Sequence, residues 1–193
     1  MARFTRAELE SFRDAEVPDL LGPDVRLLFV GINPGLWTAA TQTHFAHPVN
    51  RFYPALLAAG IIDHPIDAAT GMDDDDRAYF RSRGLGITNL VRRATIRADE
   101  LTADELRAGG ERLVELVTRI EPTVVAVAGI TAYRQAFDDR LAVAGRQPAG
   151  IGSAQLWVVP NPSGLNAHHT VDTLAQAYAE PARAAGVLPA DQD

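Results

Sequence analysis

Four short apolar runs, each parted from the next by a stretch with helical spacing, constrain this chain most: Arg26–Val30, Gly86–Leu90, Val124–Ala128 and Leu156–Val159. Apolar runs this short, bounded by Gly, Pro and Asp, have the length of buried strands rather than of helices. Between and around them, helices are expected over Thr5–Phe12, Phe52–Ala59, about Asp73–Arg83, from Thr102, from about Thr131, and over Val171–Ala185. Thr102-Ala103-Asp104-Glu105 reads as a capping box, and Leu106, Leu113, Val117 and Ile120 then recur on one helical face. Asp73-Asp74-Asp75-Asp76 places carboxylates at the positive end of a helix dipole, and Gly60 stops the helix before it. Gly109-Gly110 inside the long helix costs ~1 kcal/mol per glycine against alanine, which predicts a close approach of a neighbouring backbone. Strands alternating with helices predict an α/β fold: a three-layer α/β/α sandwich around a central, mostly parallel, four-stranded sheet.

At 193 residues the chain fits one domain. About 1–17 is expected as an N-terminal extension and about 186–193 as a flexible tail. Leu36–Pro48, rich in Thr, His and Pro, reads as irregular and too long for a mere connection, hence as a candidate functional loop.

The loops that follow the first and last strands carry the chemistry. Gly31-Ile32-Asn33-Pro34-Gly35 follows one, and Asn161-Pro162-Ser163-Gly164-Leu165 follows the other. In an α/β sheet, loops at the carboxyl ends of parallel strands converge on the ligand crevice, so one pocket built from both halves of the chain is expected.

Composition narrows what that pocket can do. With no cysteine there is no thiolate nucleophile, disulfide, Cys-ligated zinc or iron–sulfur cluster. All 18 basic residues are arginine, so no side-chain amine is available for Schiff-base catalysis. His44 and His47 flank Phe45 with no carboxylate close in sequence, and metal binding needs several convergent ligands; no metal and no cofactor are expected. Gly84-Leu85-Gly86 is too short for a dinucleotide fingerprint, and there is no Walker loop. No apolar run approaches the ~18 residues of a membrane span, and Arg3, Arg6 and Glu8–Glu10 leave no signal-peptide core; a soluble cytoplasmic protein without a membrane partner is the expectation. The net charge of −7 opposes nucleic-acid binding as a whole. Yet Asp73–Asp76 concentrates four of the negative charges, and Arg92, Arg93 and Arg97 cluster locally, where local field outweighs the total.

Five segments in order resemble the mismatch-specific uracil-DNA glycosylase and thymine-DNA glycosylase family. They are Gly31-Ile32-Asn33-Pro34-Gly35-Leu36; Phe45-Ala46-His47-Pro48 with Asn50-Arg51-Phe52; Gly86-Ile87-Thr88-Asn89-Leu90-Val91; Arg107-Ala108-Gly109-Gly110; and Asn161-Pro162-Ser163-Gly164-Leu165. They run from about Pro18 to Tyr178. The resemblance implies a monofunctional DNA glycosylase that removes uracil, or thymine and other modified pyrimidines, mispaired with guanine. Its implied partner is double-stranded DNA with G·U or G·T mismatches, bound by a monomer. A non-catalytic module of the same fold, recognising damaged DNA or a free base, is the alternative.

The resemblance places the residue that positions the attacking water at Asn33. An amide cannot act as a general base; it orients water by hydrogen bonding, which suits a reaction whose leaving group departs first. On its own, Asn33 is equally a turn former beside Pro34. Base contacts are implied at Ile32, Gly35, Phe45, Asn89 and Asn161. An extruded base must be stacked and read at its edge, and Phe45, set in an irregular loop, fits the stacking role better than a core role. Asn89 matches the thymine-glycosylase branch, and the lack of a carboxylate there implies low intrinsic turnover. Ser163, Gly164, Leu165 and Asn166 resemble the loop that enters the duplex, with Leu165 as the apolar wedge. Asn166-Ala167 departs from the bacterial pattern, in which Ser-Arg stands there, and so weakens the basis for reading an opposite guanine. His168 and His169 follow as a phosphate contact or as an exposed pair.

Overall fold

The computed structural model describes residues 4–165 and 168–190. Its strands are β1 (Leu27–Gly31), β2 (Leu85–Asn89), β3 (Val124–Ala128), β4 (Gly145–Arg146) and β5 (Gln155–Val159). Its helices are α1 (Arg6–Glu10), α2 (Leu36–Thr41), α3 (Phe52–Ala58), α4 (Asp74–Ser82), α5 (Ala103–Ile120), α6 (Ile130–Ala136) and α7 (Val171–Ala184). The sheet order is β2-β1-β3-β5-β4. β2, β1, β3 and β5 are parallel, and β4 runs antiparallel to β5. The sheet therefore has five strands where four were expected. The additional one is two residues long, pairing Gly145 with Val158 and Arg146 with Trp157, and has no apolar alternation to announce it.

Both faces of the sheet are covered, which is why all of β1, β2 and β3 is buried and why these runs read as continuously apolar. Leu27, Phe29, Leu85, Ile87, Val124 and Ala126 pack on one face with Phe52 and Leu56 of α3, Phe80 of α4, and Leu174 and Tyr178 of α7. Leu28, Val30, Val125, Val127, Leu156 and Val158 pack on the other with Leu106, Leu113 and Val117 of α5 and Tyr133 of α6. This is the three-layer α/β/α arrangement. Each large side chain so buried contributes about 1.5–3 kcal/mol relative to exposure.

The capping box forms: Thr102 Oγ1 accepts from Glu105 N at 3.2 Å, and Glu105 Oε2 accepts from Thr102 N at 2.9 Å. The glycine pair answers to contact. A Cβ on Gly109 would lie 2.3 Å from the Leu90 carbonyl oxygen, and one on Gly110 would lie 2.5 Å from that of Ala136. Glycine here lets α5 press against the end of β2 and against α6.

The Leu36–Pro48 stretch is not irregular throughout, because its first six residues form α2. Gly35 serves as N-cap, Leu36, Thr38 and Ala39 are buried, and Leu36 and Ala39 form a small third cluster with Val17 of the N-terminal segment and Ala94. Gln42 ends the helix in the left-handed region at φ 52°. Only Thr43–Asn50 is loop, and it reaches Phe45 with φ 55°.

Candidate active site

Gly31 ends β1 and pairs in register with Asn89 at the end of β2. The chain then turns through Ile32, Asn33 and Pro34, and Val91 N donates to the Ile32 carbonyl at 2.9 Å. A second segment runs alongside, with Thr95 N donating to the Pro34 carbonyl at 3.1 Å. This neighbour fixes Asn33. Its Nδ2 donates to Thr95 Oγ1 at 2.8 Å and lies 3.1 Å from the carbonyl oxygens of Pro34 and Arg93. Thr95 Oγ1 gives its own hydrogen to the Arg97 carbonyl at 2.8 Å, so its lone pairs face Asn33. The amide nitrogen is thereby occupied, and Asn33 Oδ1 accepts from no described residue.

Gly35 is exposed, and a Cβ there would meet nothing within 4 Å, so this side of the turn is open. The Ile32 side chain lies across Gly129, whose Cβ would be 3.3 Å from Ile32 Cδ1 and 3.9 Å from Asn161 Cβ. The ends of β1, β3 and β5 thus bring Ile32, Gly129 and Asn161 together.

Phe45 packs beside Gly31, at the end of β1. A left-handed backbone at an aromatic residue costs on the order of 1–3 kcal/mol. Here it accompanies a ring stacked on Phe52 at 4.1 Å and 24°. The missing side chain of Gly31 makes room: a Cβ there would lie 3.2 Å from Phe45 Cζ and 2.4 Å from Asn89 Oδ1. Beside Phe45, His44 is 4% exposed. Its Nε2 meets the Pro18 carbonyl at 2.9 Å and its Nδ1 meets Asn89 Nδ2 at 3.1 Å. Burial pushes the His44 pKa down, against the pull of the Pro18 hydrogen bond. The Asn89 carbonyl is in turn held by Arg112 Nη2 at 3.1 Å.

The loop after β5 is anchored to the same region. Ser163 N donates to Asn161 Oδ1 at 3.1 Å, and Leu165 N donates to Ser163 Oγ at 3.3 Å. Arg51 N donates to the Pro162 carbonyl at 3.0 Å, and the Arg51 guanidinium bonds the carbonyls of Gly164 and His169. A Cβ on Gly164 would fall 2.4 Å from Val49 Cγ2, so only glycine fits. Leu165 stands out at 87% exposure. Asn166, expected at the DNA surface, and Ala167, where the family arginine is missing, lie outside the described residues.

The arginine cluster does not face outward unpaired. Arg93 reaches Glu105 at 2.5 Å and Asp14 at 3.0 Å, Arg97 reaches Asp99 at 2.5 Å, and Arg92 lies 3.7 Å from Glu16. Reading Arg92, Arg93 and Arg97 as a local positive patch missed these partners, two of which lie in the N-terminal segment. Surface concavities beside Arg26 and Arg81, and beside Tyr133, Phe137 and Gln147, share no residue with the crevice.

The class that the fold defines is an open α/β domain, in which ligands bind outside the carboxyl ends of the central parallel strands. The chain belongs to the Uracil DNA glycosylase superfamily, whose family model matches residues 18–182. Members of that superfamily are DNA glycosylases, hydrolases of N-glycosyl bonds that act in base excision repair. The matched stretch contains every segment of the crevice.

The resemblance singled out Asn33, Phe45, Asn89 and the loop after β5, but not the residues that hold them. Thr95, His44, Arg51 and Arg112 act through contacts across the sequence. For Arg51 and Arg112 the only signal was their place within or beside family-like segments.

Proposed function

We propose that the chain is a monofunctional DNA glycosylase that excises uracil, and thymine or related modified pyrimidines, mispaired with guanine in double-stranded DNA. The observation that carries this reading is the pinned amide of Asn33. Its nitrogen is held by Thr95 and two backbone carbonyls, so its oxygen is left to accept a hydrogen from water. An amide so placed orients a nucleophile without deprotonating it. That suffices when the bond to the base breaks first and leaves an oxocarbenium-like sugar that a weak nucleophile can trap.

The remaining roles follow from the crevice. Phe45, backed by Phe52, offers a flat apolar surface on which an extruded pyrimidine stacks. Ile32, Gly35, Asn89 and Asn161 surround its edges. Ser163, Gly164 and Leu165 carry the wedge that fills the vacated stack.

The test is single-turnover excision from a G·U duplex, followed by alkali and a denaturing gel. The native protein is expected to give alkali-labile cleavage at the uracil. Asn33→Ala is expected to bind the same duplex and excise ~10²–10³-fold more slowly, the usual effect of losing one well-placed polar group. A rate within a few-fold of the native one would remove Asn33 from this role. Tight binding of the duplex with no excision would establish instead a module that recognises damaged DNA, which an amide-lined crevice without a general base also suits.

A further inference from the structure

Arg51 stands where two loops meet, on a fixed base. Its carbonyl accepts from Ala55 N at 2.9 Å as α3 begins, and Asn50 Oδ1 accepts from Phe52 N at 2.9 Å. Phe52, Tyr53 and Leu56 of the same helix are buried in the core. From this base Arg51 reaches the segment that follows β5. Its backbone N–H donates to the Pro162 carbonyl at 3.0 Å, and its guanidinium donates to the carbonyls of Gly164 and His169. Those last two lie on either side of Leu165 in the chain. A guanidinium presents its N–H donors in a rigid planar fork, which an ammonium lacks, so one side chain can hold both carbonyls at once. Gly164 is confined further, since a Cβ there would fall 2.8 Å from the Val49 carbonyl oxygen. Between these ties Leu165 keeps 87% of its surface exposed. Apolar surface is driven to leave water, and the exposed Val49 side chain lies against Gly164, so an untied Leu165 has a surface to fold onto.

Resting on the reading of Leu165 as the wedge, we propose that Arg51 is the positioning residue of that wedge. Its bonds order the backbone about Leu165 before DNA arrives and keep the side chain standing out. Insertion then has only to unstack a base. Without Arg51, the duplex would meet a leucine laid on Val49 and would have to order the loop as well, at a cost in conformational entropy. Arg51 thus acts on excision through Leu165, and only where there is a base stack to enter.

The test is a double-mutant cycle read on two substrates. Single-turnover excision of uracil is measured from a G·U duplex and from the uracil strand alone, for the native protein, Arg51→Met, Leu165→Ala and the double variant. Arg51→Met is expected to slow the duplex reaction about tenfold and the single-strand reaction by no more than about twofold, within the range of coupling between neighbouring residues. In the Leu165→Ala background it is expected to cost nothing further on the duplex. Equal slowing on both substrates, or the same loss with and without Leu165, would overturn the proposal. Arg51→Lys keeps the charge but not the fork, and serves as well should Arg51→Met not fold. It is expected to lose the duplex preference too; a native ratio would assign the effect to charge near phosphate and overturn the proposal. A 2-aminopurine placed beside the uracil brightens when the stack opens, whether or not the base is cut. The native protein is expected to raise its fluorescence in the G·U duplex, and Arg51→Met to raise it no more than Leu165→Ala does. If the native protein excises nothing, the glycosylase reading fails and this signal alone decides the role of Arg51. A rise lost in Arg51→Met supports that role; a rise kept in Arg51→Met, or absent with the native protein, overturns it.

Discussion

At the scale of single residues, Leu165 and Thr95 mark opposite ends of what a sequence discloses. Leu165 is almost fully exposed on a loop whose described backbone is anchored by Arg51, so its side chain packs little against the rest of the chain. Leu165→Ala is expected to leave folding unchanged and to slow excision from a duplex more than from a single strand, because only the duplex has a gap to fill. The ratio of the two rates is the measurement, and an equal loss on both would place Leu165 in the pocket instead. Thr95, by contrast, has no sequence signal. It acts on Asn33 from 62 positions away, and a threonine beside a run of arginines looks like any polar surface residue. His44 was visible as one of two histidines flanking Phe45, but its meaning depended on a partner 45 positions on. Residue type and loop context are legible in a sequence; the second contact that orients a side chain is set only when the fold brings distant segments together.

Among the elements, α5 shows most clearly how local signals and packing combine. Its start, its apolar face and its glycine pair were all legible, because caps and helical spacing are short-range features. The glycines also make a test. Gly109→Ala gains up to ~1 kcal/mol of helix propensity but sets a methyl group 2.3 Å from the Leu90 carbonyl. The clash is expected to win, since overpacking costs about 1–3 kcal/mol, and thermal or urea unfolding would show a net loss of stability. A rise in melting temperature would mean that α5 does not press on β2 so closely. The same helix start predicts a pH dependence. The Arg93 guanidinium, then the Thr102 amide, hold the Glu105 carboxyl at about 2 against 4.5 for a free glutamate. A lowered folded pKa contributes stability above the unfolded value and loses it as pH falls through the folded one. Glu105→Gln should therefore be less stable than the native protein at pH 7, with the difference shrinking between about pH 4.5 and 2 in urea titrations. A constant difference across that window would mean the pair is not formed. By comparison α2 was misread, because a six-residue helix is too short for periodicity to show and its burial comes from Val17 and Ala94. The two-residue β4 escaped for the same reason.

For the molecule as a whole, the layers were readable because both faces of the sheet are covered, leaving buried runs with no polar alternation. The charge distribution was not, since carboxylates of the N-terminal segment reach Arg92 and Arg93 only after folding. One property needs no fold at all: the chain contains no lysine, and a lyase step needs an amine to form a Schiff base with the sugar. The product is expected to be an intact abasic site, cut only when heat or alkali is added. Borohydride present during turnover is expected to trap no protein–DNA adduct, and a trapped adduct would point to the α-amino group as nucleophile. The Arg51 bonds carry a mechanical consequence. One residue grips the carbonyls of Pro162, Gly164 and His169 and directly precedes Phe52, the ring on which Phe45 rests. On the proposed reading, wedge and stacking shelf are therefore two jaws tied through a single residue. Jaws so coupled favour a double helix that bends and unstacks to meet them, so a lesion that has already softened its own base pair is the one that fits.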